Sequence, residues 1–225
     1  MTAVSAFLLA FPALFSIVNP LGMAFIFDEI AAPLQAAERA RLAVWVGIYS
    51  LLVMLVALWG GTYLLSFLGV SLGALRIAGG MVVTLTAWHL LNAPEQQVEQ
   101  HRQEQAGRSD RDVREMAFFP LTMPFTTGPG TISVAIALGA ARPARGAGLL
   151  GYFLGASGAA LAIAIVVWIT YQESDRITAL FGVSGRRILS RLIAFLLLCV
   201  GVQILISGVQ NVAATIMTAE PGAVP

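Results

Sequence analysis

The chain has 225 residues, of which 58% are hydrophobic and only 11% charged, with a mean hydropathy of +0.83 and a formal net charge of +1. A soluble domain carries about a quarter charged residues, so a water-soluble fold is excluded, and with no basic run a nucleic-acid partner is excluded too. All 13 basic residues are arginine, and the lone cysteine, Cys199, forbids an intramolecular disulfide or a cysteine metal cluster and reads as a small buried apolar side chain.

Apolar stretches near 4–27, 42–65, 72–91, 116–140, 146–170 and 191–211 predict six membrane-spanning helices, each close to the roughly 20 residues a bilayer requires. The lipid bilayer is therefore the first expected partner. No basic region precedes the first stretch, which reads as a retained span and not a cleaved signal. That span holds Pro12 and the run Asn19-Pro20-Leu21-Gly22, and it closes on Asp28 and Glu29. These two acids are expected to be solvated at the membrane edge, with ion or proton coupling through Asp28 as the alternative. The third span carries Arg76, the pair Gly79-Gly80, Thr84, Thr86 and His89. His89 reads as an interfacial or hydrogen-bonded structural histidine, with a proton relay as its alternative.

One hydrophilic segment, 94–115, separates the third and fourth stretches and reads as a solvated, partly helical linker. The fourth stretch holds Phe119-Pro120-Leu121-Thr122-Met123-Pro124-Phe125-Thr126-Thr127-Gly128-Pro129-Gly130-Thr131. In the fifth, Gly151 and Gly155 have the spacing that lets helices approach closely. Their partner is another span of this chain or a second protomer, so a homo-oligomer through glycine-rich faces is open. No cofactor or metal site is expected.

The two halves repeat features in the same order. Asn19-Pro20-Leu21-Gly22 answers Gly128-Pro129-Gly130, and Trp59 with Thr62-Tyr63 answers Trp168 with Thr170-Tyr171. Gly69-Val70-Ser71 answers Gly182-Val183-Ser184, and Arg76 answers Arg191. The predicted fold is thus an all-α polytopic membrane protein: a first three-helix repeat over 1–93, the linker 94–115 and a second repeat over 116–225. Three spans per half is odd, so the second copy must enter the membrane inverted. Six alternating spans place Arg39, Arg41, Arg102, Arg108, Arg111, Arg114, Arg176, Arg186, Arg187 and Arg191 on one side, against Arg76, Arg142 and Arg145 on the other. The positive-inside rule makes the first side cytoplasmic and puts both termini outside.

Paired Gly/Pro interruptions of membrane helices mark a transporter's binding site. They free backbone groups that hydrocarbon cannot satisfy, so protein, water or a ligand must take them up. Helices restarting at Leu21 and Thr131 would present N–H groups and positive dipole ends to a carboxylate, and the carbonyls upstream would accept from an ammonium. Ser16, Asn19, Thr126, Thr127, Thr131 and Ser133 are small, polar and uncharged, which suits a compact zwitterionic solute. The candidate binding residues are these six with Pro20, Gly22, Gly128 and Gly130; the competing reading is a pair of packing kinks with hydroxyls bonded to their own helices.

Phe15-Ser16-Ile17-Val18-Asn19-Pro20-Leu21-Gly22, the run from Phe119 to Pro124 continuing through Gly128-Pro129-Gly130-Thr131-Ile132-Ser133, and Arg76-Ile77-Ala78-Gly79-Gly80 resemble the signature segments of the MarC family. The resemblance covers nearly the whole chain. It implies a six-span bacterial or archaeal inner-membrane protein, whose transporting relatives move small neutral amino acids such as glycine and alanine and not drugs. By motif it assigns binding to Asn19, Pro20, Gly22, Thr127, Gly128, Gly130 and Thr131. The chain departs from the pattern at Ala24, where the family commonly has proline. The expectation is a secondary transporter coupled to H+ or Na+, or uncoupled. With no GxxxxGK[ST] run, ATP-driven transport by this chain alone is disfavoured, and without HExxH, a Ser/His pair or paired acids at membrane depth neither is an enzyme expected. The alternative is a non-transporting scaffold or regulator acting through 94–115.

Overall fold

The computed structural model describes residues 2–92, 110–143, 148–179 and 182–218, and among them every regular element is helical. In chain order these are α1 (Ala3–Val18), α2 (Pro20–Ala31), α3 (Ala36–Leu68), α4 (Leu72–Asn92), α5 (Asp110–Met116), α6 (Ala117–Thr126), α7 (Pro129–Ala140), α8 (Gly148–Gln172), α9 (Ser174–Ala179) and α10 (Gly182–Thr218). Four helical stretches are long and apolar enough to cross a membrane: Ala3–Ala31, Ala36–Leu68, Gly148–Gln172 and Arg191–Met217. Helices run through each of the six expected stretches, but the third, α4, is not among these four. The fourth is divided, and α7 with its 12 residues is about 18 Å long, short of the roughly 30 Å hydrocarbon layer. Most of the expected linker lies outside the described residues. Its end forms α5, where the Arg114 guanidinium sits 4.5 Å from the centre of the Trp45 ring of α3.

Chemistry within each segment sets the helix ends. Gln35 and Glu38 close a reciprocal cap at the start of α3, and Gly69 ends it in the left-handed conformation (φ 66°). Pro12 sits inside α1 without ending it. In α6 the residues before two prolines lie outside the helical region: Phe119, whose bond to Pro120 is cis, at φ −128°, ψ 123°, and Met123 at φ −113°, ψ 121°, where the Pro124 ring crowds the residue before it. The segment is thus kinked, and wide i→i+5 bonds, such as Thr127 N–H to the Thr122 carbonyl, bridge it.

α1 packs along α8, α7 along α3, α3 against α8, and α4 along α10. Membrane helices gain little from burying apolar surface against each other, so close contact depends on small residues. The α4/α10 pair meets through Gly73, Gly80, Gly201 and Gly208; a Cβ on Gly80 would lie 2.6 Å from the Leu205 nitrogen, and one on Gly201 2.7 Å from the Thr84 nitrogen. Gly139 of α7 lies so close to α3 that a Cβ there would overlap the Leu58 carbonyl. Gly155 is pressed in the same way on Ala3 and Ala6 of α1, so this glycine of the fifth stretch serves a contact within the chain. Cys199 departs from expectation: it is exposed. It lies two residues from Gly201, and residues two apart point to opposite sides of a helix, so the face that Gly201 turns to α4 turns Cys199 away.

Candidate functional site

The first interruption is a single residue. Asn19 takes the left-handed conformation (φ 46°, ψ 58°), which asparagine tolerates better than most residues. Its N–H donates to the Phe15 carbonyl at 2.9 Å, its carbonyl accepts from the Met23 N–H at 2.9 Å, and its Oδ1 accepts from the Gly22 N–H at 3.3 Å. One residue thus ends α1 with its backbone N–H and caps α2 with its side chain, with Pro20 at the first helical position where no N–H is needed. Gly22 is required by the same geometry, because a Cβ there would overlap the Asn19 amide.

The second interruption is built differently. The Thr122 hydroxyl donates to the Ala117 carbonyl and that of Thr126 to the Leu121 carbonyl, both at 2.7 Å. The Thr127 N–H reaches the Thr122 carbonyl at 2.8 Å. Each of these groups reaches back five residues, so the carbonyls of Ala117, Leu121 and Thr122 are satisfied within the segment. Thr126 also lies 2.7 Å from the Tyr171 hydroxyl. Its one proton goes to Leu121, so Tyr171 donates to Thr126. Gly128 then starts α7, whose first turn has Pro129 but no side-chain cap. The N–H end of α7 is therefore open where that of α2 is closed by Asn19.

The two interruptions are neighbours in space. A Cβ on Gly130 would lie 3.0 Å from Ile204 of α10, 3.2 Å from Val83 of α4 and 3.4 Å from Ile17, two residues before Asn19. Gly79 of α4 lies against the Pro129 carbonyl. Pro20, Gly22, Thr126, Thr127, Gly128, Gly130, Thr131 and Ser133 are all buried. Ser133 donates to the Gly130 carbonyl at 2.9 Å, so its hydroxyl, like that of Thr126, already serves its own segment. Ser16 is exposed on α1 and His89 is exposed near the end of α4; neither joins this junction.

Asp28 overturns its expectation. It is 2% exposed, not solvated. Its Oδ1 lies 2.7 Å from the Arg39 guanidinium, which also reaches Asp175 Oδ1 at 2.6 Å and the Ser174 hydroxyl at 3.2 Å. Next to it, Phe27 stacks on Tyr171 at 4.6 Å between ring centres, both fully buried. Reading the sequence passes over Arg39, Ser174 and Asp175 because each looks like a solvated loop-end residue. The one signal for Tyr171 is its match to Tyr63 in the repeat.

Residues 4–213 match the MarC family integral membrane proteins. The chain belongs to the MarC family. It is 32% identical over 209 residues to the inner membrane protein MarC of Citrobacter koseri, covering 90% of this chain and 93% of that protein. The MarC protein of Salmonella typhimurium is 32% identical over 207 residues and that of Escherichia coli 30% over 206, at the same coverage. No solved structure matches the chain. Relatives named as inner membrane proteins, together with four helices of spanning length, make this MarC-family chain a multi-pass inner-membrane protein.

Proposed function

We propose that the chain is a secondary transporter of small neutral amino acids, not an enzyme, working by alternating access around the two helix interruptions. The observation that carries this reading is the approach of the two interruptions at a buried junction, where Ile17 at the end of α1 lies against Gly130 in the first turn of α7. The open N–H end of α7 suits a carboxylate, and the carbonyl end of α1 suits the ammonium. Ile17, Val83 and Ile204 crowd Gly130 at the junction, which favours a solute with the smallest side chains, as in glycine and alanine.

The six-span inverted repeat belongs to the same reading. Exchanging the first three spans for the last three turns the α1/α8 contact into α6/α3, α2/α8 into α7/α3 and α2/α10 into α7/α4, and returns α3/α8 and α4/α10 to themselves, all of which occur. That pairing supports a pseudo-two-fold axis in the membrane plane. The arginine count puts both termini outside and the linker in the cytoplasm. As a coupling residue, buried Asp28 is favoured over exposed His89, with H+ or Na+ as the ion. Labelled glycine and alanine flux in proteoliposomes, under proton and sodium gradients in turn, tests the proposal. Saturable flux is expected; none above empty liposomes, with folded protein, would refute it.

Gly22→Ala gives a sharper check. The cap it disrupts is worth about 1 kcal/mol, and alanine returns about as much in helix propensity. The melting temperature in detergent is therefore expected to stay nearly constant while flux falls several-fold, because Asn19 is pushed off the turn that shapes the site. Undiminished flux would show that the Asn19 geometry does not matter.

A further inference from the structure

We infer that Phe27, Tyr171 and the Asp28–Arg39–Asp175 ion cluster form a gate that closes the junction on the arginine-rich side of the membrane. The inference rests on the proposed site at the two interruptions, but its test reads access and not transport. α2 runs from the first interruption toward the arginine-rich side and packs there against α8 and α9. A route from the junction to that side between α2 and those helices requires them to part.

Two layers hold the contact, and each joins the first half of the chain to the second. The inner layer is the Phe27–Tyr171 stack, with ring centres 4.6 Å apart. Tyr171 also donates its hydroxyl to Thr126, two residues before Gly128, so the stack is tied directly to the second interruption. The outer layer is Arg39, at the start of α3, holding Asp28 of α2 and both Asp175 and Ser174 of α9 on one nitrogen. Asp28 is buried, whereas the Asp175 side chain is 62% exposed. The cluster therefore has a sealed inner end and a hydrated outer end. Rotating α2 away requires one inner and one outer contact to break together, which suits a latch that is either shut or open. A purely structural ion pair would not need a hydrogen-bonded link from its neighbouring ring to the interruption.

Full-length protein with Cys199→Ser and a reporter cysteine, Thr127→Cys, is labelled with a membrane-impermeant methanethiosulfonate in vesicles of each orientation. Asp175→Asn removes the outer carboxylate while keeping the buried Asp28–Arg39 pair, and Tyr171→Phe removes the link to Thr126. Each is expected to raise labelling from the arginine-rich side at least tenfold and to leave the other side unchanged. Equal rises on both sides would mean a loosened fold, and no rise would mean no gate; either overturns the inference. Thr131→Cys serves as reporter if Thr127→Cys does not fold. Sided labelling without amino-acid flux would keep the gate and discard the substrate, whereas normal flux with unchanged labelling would do the reverse.

Discussion

Arg39→Ala is expected to cost the fold about 3–5 kcal/mol, the range for removing one partner of a buried ion pair. The reason lies with Asp28. Its carboxylate is 2% exposed and faces the guanidinium at 2.7 Å. Without that cation a charge is left in a setting where little water can reach it. Asp175 and Ser174 lose the same partner, but Asp175 is largely solvated and loses little by it. Arg39→Lys should recover only part of the loss, because an ammonium is more strongly hydrated than a guanidinium and costs more to enclose beside Asp28. Melting temperatures of the purified variants in one detergent measure both effects. An Arg39→Ala protein that melts with the parent would show that the cluster contributes nothing to stability.

Gly130→Leu is expected to abolish flux, by at least tenfold, while the protein still inserts and folds. The space where a side chain would grow is already occupied: Ile204, Val83 and Ile17 lie 3.0, 3.2 and 3.4 Å from the first carbon that would be added. Those neighbours are the ends of side chains on three different helices, so a methyl group needs them to yield by a few tenths of an ångström. A leucine would wedge α1, α4 and α10 apart at the place where the interruptions meet. Overpacking of this kind typically costs about 1–3 kcal/mol, which a multi-helix protein survives, and added apolar bulk does not oppose insertion. Gly130→Ala is the control and should keep most of the flux. Normal flux through a correctly inserted Gly130→Leu protein would remove the junction as the site.

Helix class, membrane residence and the places where the helices break were legible in the residues, because each rests on chemistry acting over a few neighbours. Proline lacks an N–H and crowds the residue before it, so Asn19-Pro20 and Gly128-Pro129 mark the breaks wherever the helices later pack. Asn19 was legible as a key residue, although as a double helix cap and not as a side chain held out to a ligand. The hydroxyls of Thr126 and Ser133 were legible as polar, but their partners depend on the wide winding of α6 and the first turn of α7.

Tertiary structure decided the rest. Asp28, Arg39 and Asp175 are scattered along the chain and each looks like a solvated end of a helix; only the packing of α2 on α9 turns them into one cluster with Asp28 buried at its inner end. Cys199 sits in an apolar run, yet the glycine face of α10 takes the contact with α4 and leaves it outward. Phe27 and Tyr171 likewise meet only because α2 lies along α8. Hydropathy states that a segment leaves water. Which side of a helix meets protein, and which charges are enclosed with it, depends on close packing between distant segments, and the order of residues along one helix does not encode that.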